Sequence, residues 1–349
     1  MTGDLRTWRE RGLGRLVLDR PWALNALTHA MIGELLEVLV AWRDDDGVTG
    51  VVIEGSGDKA FSAGGDIQGL WQHGERGDHA FGRAFWRDEY RLDRVIARYP
   101  KPFVALMDGI VMGGGVGVSA HGSHRIVTER SVVAMPEVSI GFLPDVGGTW
   151  ILSRAPGRLG EYLAMTATRL GPADAIDAGF ADRFMPSGAL RETVRRLETH
   201  GTSAVDCLAR TPPAGVLGPN LDEINEAFSE PDGPAIVARL ERSSSPWARE
   251  AVGAIRRHSP LSVACALEAV RAARRLADLE SCLAMEFRFA WRATQQTDFL
   301  EGIRAAIIDR DRRPRWRHAR LEEVSPAEVA ALFAHLGDEE LDLEGDATR

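Results

Sequence analysis

Residues 103–134 read FVALMDGIVMGGGVGVSAHGSHRIVTERSVVA, and this stretch decides the fold class. The apolar run at 103–107 predicts a strand, and the glycine cluster at 113–117 precedes a short predicted helix. Further strands are expected near 125–128 and 131–134. Strands that alternate with helical segments indicate an α/β architecture.

The same alternation continues towards the beginning of the chain. Strands are predicted at 14–19 and 50–54, and between them apolar residues recur at helical spacing behind Thr28, the expected N-cap. A further helix is predicted over 79–99, where Pro100 ends it. The first part of the chain therefore combines strands and helices in turn.

The remaining chain is predicted to be mainly helical. Helical periodicity covers 149–179, with a break at Gly171-Pro172, and it returns strongly over 261–310. Residues 186–258 are the hardest to interpret, because prolines and glycines interrupt them repeatedly. We therefore expect an α/β core followed by a helical C-terminal region.

These patterns divide the chain into three predicted regions. Residues 1–258 form the α/β core, which includes a variable segment at 186–258. Residues 259–336 form a helical region that is integral to the same unit. Residues 337–349 form an acidic tail.

The charge balance restricts the class of partner. The chain has 349 residues, with 42 Lys and Arg against 51 Asp and Glu, which gives a formal net charge of −9. Nucleic-acid modules usually carry a basic face, and a membrane span needs about 18 or more consecutive apolar residues, which this sequence lacks. We therefore expect a small-molecule substrate and no nucleic-acid or membrane partner, and the sequence leaves a homo-oligomer open.

The cysteines and the N-terminal residues predict a compartment. Cys207, Cys265 and Cys282 are an odd number of widely spaced cysteines, a pattern that fits neither a disulfide framework nor a zinc site and is typical of a reducing environment. Residues 1–15 lack the apolar segment of a secretory signal and are too acidic for a typical transit peptide. These features predict a cytoplasmic protein.

Two carboxylates stand out in the apolar segment 131–153. Glu137 and Asp145 are its only charged residues, and each follows a proline. Apolar surroundings remove hydration from a carboxylate, which raises its pKa and makes it a better proton acceptor. The pair could therefore divide the work of activating and holding a substrate. Alternatively, Asp145 caps the next helix or fixes a turn, and Glu137 points to solvent.

Two glycine-rich turns are candidates for binding negative charge. The cluster 113–117 follows one predicted strand, and residues 61–66 follow another. Facing backbone N–H groups from two such turns would form an oxyanion hole, a strong catalytic device in acyl chemistry. The alternative is that both are ordinary tight turns.

Several other motifs do not predict a site, because their neighbouring residues do not match. A dinucleotide fingerprint at 55–60 is not followed by the required helix. Ser119 lacks the second glycine of a nucleophile elbow, and His121 and His124 have no acidic third ligand nearby. The arginine cluster at 310–317 is best interpreted as a solvated face. We therefore expect neither a metal nor a bound cofactor.

Five stretches of the chain resemble the crotonase (enoyl-CoA hydratase/isomerase) superfamily, and within it the branch of 3-hydroxyisobutyryl-CoA hydrolases. They run over almost the whole chain and include the G-G-G-V-G, M-P-E and P-D-V-G-G motifs. The matching residues are 18–32, 59–67, 88–122, 134–154 and 297–316. The resemblance implies a spiral of ββα turns with helices at the C-terminus.

The resemblance also implies roles for individual residues. The two amides of the family's oxyanion hole fall on Gly65 and Gly114, the catalytic glutamate on Glu137, and the second acid on Asp145. A further substrate-contacting glutamate falls on Glu89, although charged neighbours make its surroundings look like a solvated helix face. Contacts to coenzyme A are implied for two residues of the first turn, namely Ala63 and Asp66.

One departure from the hydratases of the superfamily bears on the activity. Hydratases carry a second glutamate at the end of the glycine cluster, where this chain has Gly117. The resemblance therefore implies an enzyme that hydrolyses an acyl-CoA thioester, 3-hydroxyisobutyryl-CoA of valine breakdown above all. The alternatives are a hydratase or isomerase acting on another acyl-CoA, and a non-catalytic protein that binds CoA esters.

Overall fold

The computed structural model describes residues 3–343, so positions 344–349 of the predicted acidic tail lie outside the described residues. Its strands are β1 (Leu5–Glu10), β2 (Leu13–Leu18), β3 (Gly50–Gly55), β4 (Ala60–Ser62), β5 (Phe103–Met107), β6 (Ile110–Met112), β7 (His124–Val127), β8 (Val132–Ala134) and β9 (Arg183–Phe184). Its first helices are α1 (His29–Arg43), α2 (Ile67–Glu75), α3 (His79–Ala97), α4 (Gly114–Ala120), α5 (Gly148–Arg154), α6 (Leu159–Thr166), α7 (Pro172–Asp177), α8 (Leu190–His200) and α9 (Ser203–Leu208). The later ones are α10 (Leu221–Ala227), α11 (Gly233–Glu241), α12 (Pro246–Arg257), α13 (Pro260–Ala273), α14 (Leu279–Gln296), α15 (Phe299–Ile303) and α16 (Pro326–Leu332).

The chain groups into two compact units. Unit 1 contains the residues up to Asp66 together with Asp88–Ala134 and Arg169–Val216. Unit 2 contains Ile67–Arg87, Met135–Thr168 and the residues from Leu217 onwards. These units group residues that are close in space, whereas the predicted regions are consecutive stretches of the chain. The region boundaries at 258 and 336 therefore stay a prediction.

Unit 1 holds both sheets. The larger sheet has the order β1-β2-β3-β5-β7-β9 and the smaller one the order β4-β6-β8, and only the β1–β2 pair is antiparallel. Successive strands of the chain alternate between the sheets, from β3 to β4, from β5 to β6 and from β7 to β8. This alternation is the predicted ββα repeat.

Burial explains why these segments form parallel strands. Parallel strands are covered on both faces and therefore read as continuous apolar runs, and all five residues of β5 are buried. The helices α8 and α9 pack on the larger sheet. The core between them is formed by Leu13, Val52, Val104, Leu106, Ile126, Met185, Val194, Leu197 and Val205.

Unit 2 is helical and has an aromatic cluster at its centre. The ring centroid of Phe142 lies 5.3 Å from that of Trp86, 5.3 Å from that of Phe289 and 4.9 Å from that of Phe299. These rings come from three helices and from the segment between β8 and α5. The cluster therefore anchors the segment in which the sequence predicts two functional carboxylates.

The predicted elements of the first part of the chain are confirmed, most of them within one or two residues. The predicted helical stretch 149–179 is wrong in one respect, because it is three short helices with a break at residues 155–158 as well as one before Pro172. Residues 186–258 contain five helices, α8 to α12, that the sequence analysis did not predict. No helix of the described residues is both long and apolar enough to cross a membrane.

Candidate active site

The glycine turn after β4 is held by hydrogen bonds from the backbone N–H groups of three of its residues. The N–H groups of Ala63 and Asp66 donate to the carbonyl oxygens of Leu24 and Leu27, and that of Gly64 donates to Oγ of Ser62. Gly64 has a φ of +108°, a conformation that glycine adopts without strain. Among the described residues, this bonding pattern does not use the N–H of Gly65, which makes that group available to a ligand.

The second glycine turn lies against the first one in unit 1. Gly113, with a φ of +52°, precedes α4, and Gly114 is the first residue of that helix. A Cβ atom on Gly114 would lie 3.3 Å from the backbone nitrogen of Gly65 and would overlap Oε1 of Glu89. The structure therefore brings together Gly65, Gly114 and Glu89, and the roles that the resemblance implies for them stay a prediction.

Not every glycine of the cluster serves a ligand. A Cβ atom on Gly115 would lie 2.5 Å from the carbonyl oxygen of Ser62, so a side chain at this position would push α4 away from β4. Gly115 therefore lies in a helix that packs closely on β4, and not in the tight turn that was the alternative for the cluster. For Gly114, two of the three nearest atoms are polar, a carboxylate oxygen of Glu89 and the amide nitrogen of Gly65, and the third is a methyl carbon of Leu27.

Glu89 is buried, contrary to the solvated helix face that its neighbours in the sequence suggested. Its side chain is 3% exposed, and Asp93, one turn further along α3, is 0% exposed. Sequence reasoning missed Asp93 altogether. The signal was present, because positions 85, 89, 93 and 96 follow one helical stripe in which Phe85 and Ile96 are apolar.

Glu137 lies in a short turn of unit 2 with its side chain 6% exposed. It begins a 3-10 helix that ends at Ile140, and Gly141 closes this helix in the left-handed conformation with a φ of +78°. The backbone N–H of Ser259 donates to the carbonyl oxygen of Val138 at 3.2 Å. The alternative that Glu137 points to solvent is therefore wrong.

Asp145 is also buried, at 5% exposure, in the loop before α5. Its carbonyl oxygen accepts the N–H of Gly148 at 2.6 Å, so its backbone forms part of a turn. The N-cap of α5 is Gly147, without a side-chain hydrogen bond. Asp145 is thus not the N-cap residue of α5, so the capping alternative is wrong, whereas the alternative of a turn is correct for its backbone.

A third buried carboxylate, which no sequence pattern indicates, holds the Asp145 loop. Glu286 of α14 is 0% exposed, and its oxygens accept the N–H groups of Gly147 at 2.8 Å and of Thr149 at 3.0 Å. Burial raises the pKa of Glu286 to about 8, hydrogen bonds from Thr149 and Gly147 act in the opposite direction, and the nearby charge of Asp145 raises it further. The loop partners lie some 140 residues away in the chain, so no local pattern could reveal them.

The remaining predicted positions are less decisive. Asp66 is partly buried, with its carboxylate 3.5 Å from the guanidinium of Arg20, and Ala63 lies in the first glycine turn. Ser119 is fully buried and donates to the carbonyl oxygen of Gly115, which fits its rejection as a nucleophile. No group of three metal-ligating side chains occurs among the described residues.

A large cavity in unit 2 lies away from the predicted site residues. Its volume is about 870 Å³, and it is lined by α11, α13, α14 and α16. Apolar side chains such as Leu267, Met285 and Phe333 form much of its wall, and none of the predicted site residues lines it. The cavity is therefore not the place where the predicted carboxylates act.

Comparisons with known proteins decide the family. A family model described as enoyl-CoA hydratase/isomerase matches residues 13–333. The chain belongs to the enoyl-CoA hydratase/isomerase family. The 3-hydroxyisobutyryl-CoA hydrolase of Gallus gallus, named as mitochondrial, is 38% identical to this family member, over 97% of this chain and 91% of the relative.

Solved structures of this family share the whole fold. An enoyl-CoA hydratase from Rhodobacter sphaeroides 2.4.1 is 49% identical, with a TM-score of 0.94 over 97% of this chain and 99% of the other. A carnitinyl-CoA dehydratase from Mycobacterium thermoresistibile is 44% identical, with a TM-score of 0.94 over 98% of this chain and 99% of the other. The predicted α/β crotonase fold is confirmed.

The prediction of a cytoplasmic location is wrong by the same comparisons. The relative from Gallus gallus and further animal relatives are named mitochondrial. Unpaired cysteines indicate a reducing compartment but do not say which one. The cysteines therefore support a reducing compartment, but they do not support the cytoplasm in particular.

Proposed function

We propose that this family member hydrolyses the thioester of 3-hydroxyisobutyryl-CoA to 3-hydroxyisobutyrate and CoA, a step of valine breakdown. The observation that carries the proposal is the burial of Glu137, combined with Gly117 at the position where hydratases of the superfamily carry a second glutamate. Relatives from animals and plants that are named 3-hydroxyisobutyryl-CoA hydrolase support it. The acyl-CoA substrate class also fits the family.

In this reaction the backbone N–H groups of Gly65 and Gly114 stabilise the negative charge that develops on the thioester oxygen. The Glu137 carboxylate accepts a proton from the attacking water, or it attacks the carbonyl carbon itself. In the second route the C–S bond breaks, the CoA thiolate leaves and takes up a proton, and water then opens the mixed anhydride. Both routes need an ionised carboxylate at position 137.

The other predicted residues bind and orient the substrate. Asp145 contacts the 3-hydroxyl group and fixes its orientation, and Glu89 contacts the acyl part beside Gly114. Two residues of the first glycine turn, Ala63 and Asp66, contact the coenzyme A portion. We propose no metal and no further cofactor for this chemistry.

A hydratase or dehydratase is the second candidate, because the two solved structures described above carry those names. Such an enzyme adds or removes water at a carbon–carbon double bond and leaves the thioester intact. A third candidate is a protein that binds CoA esters without turnover. The three candidates differ in the product that they release, so one panel of substrates separates them.

The test is an assay of free thiol and of enoyl absorbance on the same samples. We expect thiol release from 3-hydroxyisobutyryl-CoA and from 3-hydroxypropionyl-CoA, and no loss of the enoyl absorbance of crotonyl-CoA. Loss of that absorbance without thiol release would support the hydratase. Binding of all three esters without either signal would support the non-catalytic protein.

A further inference from the structure

Glu286 accepts three hydrogen bonds from the Asp145 loop. Its Oε2 accepts the N–H of Gly147 at 2.8 Å, and its Oε1 accepts both the N–H of Thr149 at 3.0 Å and the hydroxyl of Thr149 at 2.5 Å. The side chains of Glu286 and Thr149 are both fully buried. All three donors lie within four residues of Asp145 in the chain.

The loop needs such an external acceptor because its own backbone is strained. Val146 has a φ of +51° and Gly147 a φ of +73°. The left-handed region costs an L-residue about 1–2 kcal/mol, and a β-branched valine is a real outlier there. Strained residues of this kind persist only where the surrounding structure fixes them. Here the Glu286 side chain binds the residues on the C-terminal side of Val146.

We propose that Glu286 is a positioning residue that holds Asp145 at the place where it meets the 3-hydroxyl group of the substrate. Through this loop, Glu286 determines the preference of the enzyme for acyl groups that carry a 3-hydroxyl. The proposal rests on the proposed function, since it assigns a residue that acts through Asp145. It predicts a change in substrate preference that a general loss of stability would not produce.

The variant Glu286→Gln tests the proposal with nearly the same side-chain volume. A carboxylate or carboxylic acid oxygen accepts hydrogen bonds at both positions, whereas the amide nitrogen of glutamine accepts none. One N–H group of the loop therefore faces a donor instead of an acceptor. We measure kcat/KM for 3-hydroxyisobutyryl-CoA and for isobutyryl-CoA, which lacks the hydroxyl.

We expect kcat/KM for 3-hydroxyisobutyryl-CoA, divided by that for isobutyryl-CoA, to decrease about tenfold. This decrease corresponds to the loss of one buried hydrogen bond. The matched control is Glu268→Gln, the same change at an exposed carboxylate whose partner is Arg275, and it should leave the ratio as in the wild type. A folded Glu286→Gln protein with the wild-type ratio would overturn the proposal.

A second variant decides the question if Glu286→Gln does not fold. Thr149→Val removes only the hydroxyl donor and keeps the shape of the side chain, so we expect a decrease of about threefold in the same ratio. An unchanged ratio in this variant would also overturn the proposal. If the wild-type protein releases no thiol from either ester, the proposed function is wrong, and this failure is distinct from that of Glu286.

Discussion

A methyl group on Gly114 would overlap the Oε1 atom of Glu89. The same methyl group would lie 3.3 Å from the backbone nitrogen of Gly65, the other amide of the proposed oxyanion hole. Gly114 is thus not merely a flexible residue at the start of a helix. We propose that the space left by its missing side chain is where the thioester oxygen meets the N–H groups of Gly65 and Gly114.

We therefore predict that Gly114→Ala lowers kcat for thioester hydrolysis by about 10²-fold. Alanine keeps the backbone N–H, but its methyl group takes the space of the thioester oxygen, which should cost about as much as the loss of one oxyanion donor. Adding Glu89→Ala to this variant should recover thermal stability, because it removes the overlapping carboxylate, but it should not recover turnover. Thermal unfolding and thiol release measured on the single and double variants check both statements.

The matched control for this prediction is Gly33→Ala. Gly33 lies within α1, and a Cβ atom there meets nothing within 4 Å. Replacement by alanine should stabilise the protein by up to about 1 kcal/mol and leave kcat unchanged. Equal turnover of the Gly114→Ala and Gly33→Ala variants would contradict the assignment of Gly114.

The second prediction concerns pH and Glu286, whose pKa burial raises to about 8 from an ordinary value of 4.5. A raised pKa in the folded state contributes stability that is complete below about pH 4.5 and is lost as the pH rises towards 8. The groups near Glu286 are Asp145 and Cys282, and burial raises the pKa of the Cys282 thiol to about 12, so this thiol stays neutral over the whole range.

The measurement compares the free energy of unfolding of the wild type and of Glu286→Gln between pH 5 and pH 9. We expect the advantage of the wild type to decrease from pH 5 to about pH 8 and then to level off, because glutamine does not titrate. Urea unfolding at four pH values gives these energies. A difference that stays constant with pH would show that Glu286 has an ordinary pKa.

The third prediction concerns Asp298, which supports the turn of Glu137. Its side chain is 2% exposed, and its carboxylate accepts the hydroxyl of Ser259 at 2.6 Å and the N–H of Arg317 at 2.9 Å. Its backbone lies so close to Gly141 that no side chain would fit at that glycine. Asp298 therefore ties the end of the Glu137 turn to α15.

Asp298→Asn should destabilise the protein by about 2 kcal/mol, because one buried donor loses its acceptor. It should also lower kcat, because the turn that carries Glu137 loses part of its support. Urea unfolding and thiol release provide the measurements. The control is Asp338→Asn, at an exposed aspartate of unit 2. If Asp298→Asn lowers the free energy of unfolding and kcat no more than this control does, Asp298 does not support the turn.

The sequence predicted well the elements whose signal is local. The strand at 103–107 has the predicted bounds. A parallel strand that is buried on both faces is a continuous apolar run, so the sequence alone marks where it begins and ends. Thr28 is the N-cap that its position suggested, since its side chain accepts the N–H of Met31.

The missed helices had a local signal that was interpreted in the wrong sense. The prolines in 186–258 predict interruptions, yet Pro246 begins α12, directly after Ser245, whose side chain caps the helix. Proline is favoured in the first turn of a helix, where its missing N–H costs nothing. A serine followed by proline therefore predicts the beginning of a helix as well as an interruption.

The residues of the candidate site also differ in whether they have a local signal in the sequence. The glycine turns and the two proline-flanked carboxylates were visible as local patterns, whereas Glu89 rested on the resemblance alone. Glu286 could not be found, because the residues that it binds are far away in the chain and its own neighbours read as an ordinary helix. Long-range hydrogen bonds leave no trace at the position of the acceptor.

The most direct test of the account is the release of CoA thiol from 3-hydroxyisobutyryl-CoA by the wild-type protein and by Glu137→Gln. We predict steady hydrolysis by the wild type, and a rate lower by about 10²- to 10⁴-fold in the folded variant, since an amide can neither accept the proton nor attack the thioester. Wild-type turnover in Glu137→Gln, or no thiol release by the wild type, would contradict the account.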